Sequence, residues 1–558
     1  DRIEIRLQQY LSSRPLSVVI DELARLRTSA TKALGSLAEG IDIEDTTLLR
    51  RQIARRCIYG VDLNPIAVEL ARVSLWIHTF VPGLPLSMLD HHLVEGNSLV
   101  GIGTLDEARE IVSKAAGGPM FNVFVENLIS SAAKNMAKVG DLSDADAAEI
   151  QAARNALGEA RQSLGSLQAM FDILATSRMD AGIAGQIMSN IYSNISDWQD
   201  NPEAIEGSSL HKSAVDVMAG IQPFHFPVAF PDVFARARAG FDVILGNPPW
   251  EEVVHKEDSF WSRFFPGYSS RPQRDRELLR SEYRSHRQDL YKLLLKENTD
   301  NALIRSALVN GPYPGIGQAD PDMYRAFVWR FWHLVAQEGR VGVVLPRSLW
   351  NGNSSEKVRR AILNNGNVND LTFLLNSRHW VFDTVHPQYT IALSSMQKLD
   401  RSEGLIHFRG PYTSLANFYS GVADTPSTAT TQEISSWTVN AMIPLLKDSA
   451  AVDIFRQMKN SPSLTSQLPQ GFLVLPHTEL HATNDKNLMT FAEVPPQGYW
   501  PVFRGESFDI WESDRGKDRY YAWVNPHSIV DHLQRKRLRA SNSKNSPFSQ
   551  FSKQTVQD

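Results

Sequence analysis

Four consecutive residues, Asn247-Pro248-Pro249-Trp250, combine groups that can act on a planar amine. They follow Phe241-Asp242-Val243-Ile244-Leu245-Gly246, in which the run 243–245 reads as a fully buried parallel strand. Neither proline continues a central strand, so the chain must leave the sheet there. Asn247 and Trp250 are thereby expected at the carboxyl edge of a sheet, where open α/β folds bind their ligands. With two prolines stiffening the backbone, the Asn247 side-chain oxygen and the Pro248 carbonyl form two acceptors aimed at one amino group. Trp250 offers a flat face on which a planar ring stacks. Asn-Pro alone is also common in ordinary turns. The strand before it and the aromatic after it favour the chemical reading.

The elements that must position these groups are spread along the chain. Residues 1–56 are charged and helical in pattern, with breaks near Gly35 and Gly40. Cys57-Ile58-Tyr59-Gly60-Val61-Asp62 reads as a strand ending in an acid. Asn64 is placed to cap the next helix and Pro65 to occupy its first turn. Ile66, Leu70, Val73, Ile77 and Phe80 recur at helical spacing as one apolar face. A strand, a terminal acid and a capped helix make half a Rossmann-like unit, in which the acid accepts from ribose hydroxyls; Asp62 fits a turn equally well. Leu93-Val94-Glu95-Gly96-Asn97-Ser98-Leu99 reads as a second short strand with a polar end, or as a plain strand-turn.

From 102 to about 222 the chain is rich in Ala, Ser and Gln and lacks strand patterning, with one or two long helices over 144–179. It reads as a helical insertion between two halves of one sheet domain, either a solvated arm or a lid. Arg271, Arg274, Arg276, Arg280, Arg284 and Arg287 then share a helical stretch. Such a row suits a phosphate backbone. Interleaved Asp275, Glu277, Glu282 and Asp289 favour a solvated helix with internal ion pairs instead. Met323, Phe327, Phe331 and Leu334 form a further apolar helix face, with Gly339 in the position of its C-terminal glycine. Arg340-Val341-Gly342-Val343-Val344-Leu345-Pro346 reads as a buried strand. Segments 371–375 and 389–396 read as two more strands, and the loop between them holds Trp380, Val381 and Phe382. Arg535-Lys536-Arg537-Leu538-Arg539 is a basic cluster suited to phosphates or simply to solvent.

Composition narrows the classes. A hydrophobic share of 42% with 21% charged residues fits a globular protein. No apolar run reaches the ~20 residues of a membrane span. A single cysteine, Cys57, excludes an intrachain disulfide and points to a reducing, cytoplasmic compartment. The net charge of -5 means that nucleic-acid contact would have to use local patches. His477, Glu479 and His481 are metal-ligand types without the His-Glu-x-x-His spacing, so no metal is expected.

Taken in order, Val61-Asp62-Leu63-Asn64-Pro65, Glu95-Gly96-Asn97-Ser98-Leu99, Gly246-Asn247-Pro248-Pro249-Trp250 and the strand at 339–346 resemble the gamma-type adenine-specific DNA methyltransferases of bacterial restriction-modification and phage-defence systems. That group includes large single-chain type IIG enzymes and the methylases of BREX-like and DISARM-like systems. The resemblance covers 57–101 and 237–400, and 401–558 more loosely. It implies an α/β fold: a Rossmann-like methyltransferase sheet that binds S-adenosylmethionine (AdoMet), with a long helical insertion and the start of a C-terminal target-recognition region. The implied divisions are 1–101 for the AdoMet-binding half, 102–236 for the insertion, 237–400 for the catalytic half, and 401–558 for a spacer and the start of the recognition region. Asp62 is then expected to hold the AdoMet ribose, and Asn97 to lie near its adenine. Asn247 and the Pro248 carbonyl would accept from the target adenine's amino group. Trp250 and Phe382 would stack on that base once it is flipped out of duplex DNA. Other restriction or defence subunits are implied as partners.

One departure stands out. The family's Gly-rich turn, which cradles AdoMet after the first strand, is missing. In the family it lies shortly before the helix that here opens the chain, so the resemblance implies truncation at residue 1, and at Asp558 too. Two rival readings remain: an amino-methyltransferase acting on RNA or on protein glutamine, and a DNA-binding subunit with an inactive methylase fold. The length of the insertion and C-terminal region favours DNA over the first. The intact Asn247-Pro248-Pro249-Trp250 argues against the second.

Overall fold

The computed structural model describes residues 2–38, 41–85, 89, 91–114, 127, 144–187, 197–198, 201–253, 257–316, 321–400, 404–438, 440–462, 479–494 and 496–542. The chain divides into two compact units, Asp1–Asp453 and Ile454–Asp558.

The first unit is built on two sheets. The smaller pairs β1 (Gly60–Asp62) in parallel with β2 (Leu93–Glu95), Gly60 opposite Leu93 and Asp62 opposite Glu95. The larger is a mixed six-stranded sheet of β3 (Phe241–Gly246), β4 (Val335–Pro346), β5 (Gly366–Leu375), β6 (Thr390–Lys398), β7 (Leu405–Tyr412) and β8 (Ser427–Thr430). Its spatial order is β3-β4-β6-β5-β7-β8. β3 runs parallel to β4, and β6 lies antiparallel between β4 and β5. The sheet therefore continues past residue 400, through β7 and β8. In β4, alternation buries Val341, Val343 and Leu345 while Arg340 stays exposed, which is the period-2 signature of a strand with one face on the core.

Among the described residues the two sheets are not hydrogen-bonded to each other. They share a core layer instead. Phe224, Phe226, Phe230, Phe234 and Leu334 are buried, and against them pack Tyr59 just before β1, Val61 and Val94 from one sheet, and Phe241 and Ile244 from the other. This layer explains the first of two departures from expectation. The run 243–245 is not fully buried: Val243 is 58% and Leu245 79% exposed, because only Phe241 and Ile244 face the phenylalanine layer. The helix Pro65–His78 forms as expected, with the Asn64 side chain accepting from the Ile66 N–H at 3.0 Å and Pro65 in its first turn. Its predicted apolar face, however, points outward, with Ile66 67%, Leu70 61% and Ile77 63% exposed. Val68 is the residue it buries, against Leu89 and Leu93.

Two further boundaries moved. Cys57 ends the helix Asp45–Cys57 and is not in the strand, which starts only at Gly60. Arg55 and Arg56 in the last turn suit a helix C-terminus. Leu48, Leu49 and Ile53 bind that helix to the helix Ser17–Leu34 through Leu23, Leu26 and Ala30. Gly339 does not terminate the helix Met323–Leu334. Val335 enters the sheet at once, opposite Phe241, and the chain bulges before Arg340 meets Val243. Glu338 takes the left-handed conformation at φ 64, and Gly339 is needed for space. A Cβ there would lie 2.7 Å from the Val335 side chain and 3.0 Å from the Asp242 carbonyl.

The insertion contains the helices Ala147–Ser163 and Gly165–Thr176, the second almost wholly buried. Its core joins Val100 and Ile102 to Leu167, Met170, Phe171 and Leu174. The arginine row lies on the exposed helix Gln273–His286 and its end. Arg276 and Arg284 pair with Asp258 and Glu257 of the neighbouring helix Glu257–Phe264, both at 2.5 Å, and Arg280 approaches the same two acids. This is the solvated, ion-paired reading, although the partners come from the adjacent helix.

In the second unit β9 (Met489–Thr490), β10 (Trp500–Val502) and β11 (Ala522–Val524) form an antiparallel sheet in the order β10-β11-β9. The helix Pro526–Ser541 packs Ile529 with Met489, Ala522 and Val524. Its basic cluster is engaged internally: Lys536 donates to the Glu479 carbonyl at 2.6 Å and Arg537 pairs with the Glu479 carboxylate at 2.8 Å.

Candidate functional site

β1, β2 and β3 run toward one cavity of about 590 Å³. Asp62 from the end of β1, Asn97 from the loop after β2, and Asn247, Pro248 and Pro249 from the end of β3 all line it. Phe327 and Phe331 of the helix Met323–Leu334 supply apolar wall. Their expected helix face is thus turned partly to the cavity. Its volume falls within the roughly 300–1,000 Å³ of small-molecule sites.

Each polar group is partly committed. Asp62 is exposed, and its Oδ1 accepts from the Asn64 N–H at 2.7 Å, so its second oxygen is available to a ligand hydroxyl. The Oδ1 of Asn97 accepts from the Leu99 N–H at 3.1 Å, which leaves its NH₂ as the group for recognition. The Asn97 backbone is held by the chain at 222–224: its N–H donates to the Gln222 carbonyl at 2.7 Å, and its carbonyl accepts from the Phe224 N–H at 3.2 Å. Gly96 lets the loop approach so closely, since a Cβ would come within 2.6 Å of the Phe224 ring. Asn247 is exposed, whereas Pro248 is buried and anchors the segment.

Trp250 lines a second cavity, of about 810 Å³, with Glu251, Asp322, Tyr324, Ser348 and Tyr389. Burial raises the carboxyl of Asp322 above the usual range, and the nearby Arg325 only partly offsets it. Asn247-Pro248-Pro249-Trp250 is therefore a partition, with its first three residues on one cavity and its last on the other. Phe382, at the tip of the β5–β6 hairpin, meets Trp250 edge-on, their ring centroids 5.7 Å apart at 89°. The two rings touch but are not parallel plates. The buried Trp250 Nε1 has no hydrogen-bond partner among the described residues, an uncommon state for a buried donor.

Several residues that brace the Asn97 loop carried no sequence signal. Glu107, Arg178 and Arg330 form a buried ion cluster, with Arg330 2.5 Å and Arg178 2.5 Å from the Glu107 carboxylate. Arg330 also donates to the carbonyls of Leu99 and Gly101, at 3.2 and 3.0 Å, and the Tyr313 hydroxyl donates to the Leu99 carbonyl at 2.5 Å. The cluster thus ties the Asn97 loop to the helix that walls the cavity. The partners are scattered along the chain, so no motif could announce them. As for metals, no group of three or more ligand-type side chains exists among the described residues. His477 lies outside them, and His481 is engaged locally, its N–H on Asp485 and its Nδ1 accepting from the Thr483 and Asn484 N–H groups. No helix among the described residues is long and apolar enough to cross a membrane.

Residues 56–300 match the family of the Eco57I restriction-modification methylase. A protein of Methanocaldococcus jannaschii named as a type II restriction enzyme and methyltransferase is 24% identical over 221 residues. That match takes in 35% of this chain and 18% of the relative, so the chain spans less than a fifth of the relative's length. Among solved structures, the modification subunit of a type I restriction enzyme from Vibrio vulnificus is similar at 13% identity and a TM-score of 0.18, over 42% of this chain and 36% of that one. The ATP-dependent type ISP restriction-modification enzyme LlaBIII, bound to DNA, is similar at 11% identity and a TM-score of 0.19, over 98% and 36%. At those TM-scores the two structures carry no argument. What the sequence match supports is a restriction-modification methylase domain across the segment that holds Asp62, Asn97 and Asn247-Pro248-Pro249-Trp250.

Proposed function

We propose that the protein is a site-specific DNA methyltransferase of a restriction-modification or phage-defence system, which transfers a methyl group from AdoMet to the exocyclic amino group of adenine. The observation that carries this is the partition: one four-residue segment separates a cavity bearing Asp62 and Asn97 from a cavity bearing Trp250. A donor held on one side and a base on the other would meet at Asn247. The match of 56–300 to a restriction-modification methylase supports the reaction class. β1–β2 and the six-stranded sheet are read as parts of one Rossmann-like methyltransferase sheet, and 401–558 as a spacer, whose β7 and β8 extend that sheet, followed by the start of target recognition. Double-stranded DNA is the substrate, with other system subunits as partners.

The residues present fit AdoMet. The Asp62 carboxylate suits ribose hydroxyls, Asn97 an adenine edge, and Phe327 and Phe331 an apolar wall. When bound, AdoMet supplies an electrophilic methyl group. The chain's own task is to prepare the acceptor. The lone pair of an adenine amino group is delocalised into the ring and is a poor nucleophile. The Asn247 oxygen and the Pro248 carbonyl would accept its two N–H groups and localise the lone pair. Positioning and preset dipoles then account for the rate, with no metal and no covalent enzyme intermediate. Trp250, with Phe382 edge-on beside it, would take the flipped base.

The test is direct. The intact protein is incubated with tritium-labelled AdoMet and unmethylated duplex DNA, RNA or protein. Label is expected in DNA adenine; label confined to cytosine, RNA or protein overturns the proposal. Trp250→Ala should cost roughly 1–3 kcal/mol of base stacking. Trp250→Phe should retain much of the activity. Equal losses in the two variants, measured as kcat/KM for DNA, would assign Trp250 to packing instead.

A further inference from the structure

We infer that Asn376 is the positioning residue of the base pocket, setting Phe382 against Trp250; this rests on the reading of Trp250 and Phe382 as the stacking pair. Asn376 is the first residue after β5 and is fully buried. Its side-chain amide makes four hydrogen bonds, all to the backbone of the aromatic loop. The Nδ2 donates to the carbonyls of Phe382, at 2.9 Å, and Val385, at 2.7 Å. The Oδ1 accepts from the N–H groups of Val381, at 3.1 Å, and Phe382, at 3.0 Å. Both backbone groups of Phe382 thus end on one side chain. Two donations and two acceptances use the full capacity of a carboxamide. Aspartate at this position has no donor, and alanine has neither group.

The surrounding backbone agrees. Arg378 and His379 are both left-handed, at φ 57 and 59, which is costly for residues with a Cβ. Such strain persists only where neighbouring contacts over-determine it, and it gathers at ligand sites. The contacts here are the Asn376 side-chain amide, the Asn376 main-chain carbonyl accepting from the His379 N–H at 2.8 Å, and the Trp380 Nε1 donating to the Leu375 carbonyl at 2.7 Å. The Asn376 N–H also donates to the carbonyl of Tyr389, a wall of the Trp250 cavity, at 3.0 Å. One buried residue at the end of a central strand therefore holds Phe382 by both backbone groups and Tyr389 by its carbonyl. Its side chain touches neither cavity, so its effect on chemistry must pass through Phe382.

The experiment compares wild type, Asn376→Asp, Phe382→Ala and the double variant in the labelling assay on unmethylated genomic DNA. AdoMet binding is followed by calorimetry and loop order by hydrogen exchange. Asn376→Asp is isosteric and keeps the fold testable. It should lower kcat on the order of 10²-fold, the usual cost of a small misplacement. AdoMet affinity should stay unchanged, and exchange at 381–385 should speed up. In the double variant the loss should be no greater than in Phe382→Ala, because both changes remove the same positioned ring. Additive losses, or a parallel fall in AdoMet affinity, overturn the inference in favour of a general structural role. So does wild-type kcat in Asn376→Asp. If wild type puts no label in DNA adenine, the reading of the site fails and takes the inference with it. Protection at 381–385 in that wild type would still show that the clamp itself exists.

Discussion

Asn247→Ala is expected to lower kcat for methyl transfer on the order of 10³-fold while leaving AdoMet affinity nearly unchanged. The residue belongs to the wall of the first cavity, yet its side-chain oxygen is assigned to the acceptor amine. An acceptor of that kind matters mainly in the transition state, so its removal lowers kcat more than binding. Loss of one preset transition-state partner typically costs on the order of 10²–10³-fold in kcat. The expected loss is at the upper end, because Pro248 offers only a main-chain carbonyl as the remaining partner. Asn247→Asp keeps an acceptor oxygen and should retain measurable turnover. Steady-state kinetics on DNA with calorimetry for AdoMet separate the terms. A fall in AdoMet affinity matching the fall in kcat would move Asn247 to the cofactor side and refute the assignment.

What could be read in the chain before the fold was known divides by range of interaction. Local rules worked. The Asn64 cap and Pro65 rest on hydrogen bonds two residues away and were legible. The strand ending at Pro346 and the hairpin of β5 and β6 were legible too, because period-2 burial and breakers are local. Orientation was not. Ile66, Leu70 and Ile77 have a helix period, but a period does not say which neighbour covers the face. In the same way 243–245 looked like a doubly covered strand, and only the phenylalanine layer under Ile244 shows that one side is covered. Gly339 was misplaced because a glycine after a helix has two explanations. Here the close approach of the Val335 side chain and the Asp242 carbonyl is the one that applies.

The site shows the same split. Asp62, Asn97 and Asn247-Pro248-Pro249-Trp250 lie at strand ends, and strand ends can be found in a sequence. Their gathering on two cavities follows from parallel strands running to one edge. Phe382 was reachable because an aromatic hairpin tip is conspicuous. Asn376 was not: one Asn after an apolar strand is an unremarkable turn residue until its four bonds are seen. Glu107 and Arg330 were the least legible, being 223 residues apart.

That pair gives the largest expected effect on stability. Burial alone would raise the Glu107 carboxyl, but the Arg330 and Arg178 guanidiniums outweigh it and hold the group at about 2, against an ordinary 4.5. A depressed carboxyl contributes its full stability above the unfolded value and loses it as pH falls through the folded one. The contribution of Glu107 should thus be complete above about pH 4.5 and fade between there and about pH 2. Glu107→Gln mimics the protonated state and leaves two buried guanidiniums without their counter-charge. Breaking a buried pair from one side costs about 3–5 kcal/mol. The amide NH₂ would also confront either a guanidinium or the Gly103 N–H, which Glu107 Oε2 accepts at 2.8 Å. Asp106→Asn, one residue away on an exposed pair with Arg109, should change stability by only about 0–1 kcal/mol. Urea unfolding of the three proteins across pH provides the check. The gap between wild type and Glu107→Gln should be widest near neutrality and close as pH drops toward the folded value, while Asp106→Asn stays near wild type. A gap independent of pH would mean that the cluster stabilises by shape and hydrogen bonding, not by charge. If Glu107→Gln also weakens AdoMet binding at a temperature where it is folded, the loosened Leu99 and Gly101 carbonyls are the cause, since Arg330 holds the Asn97 loop through them.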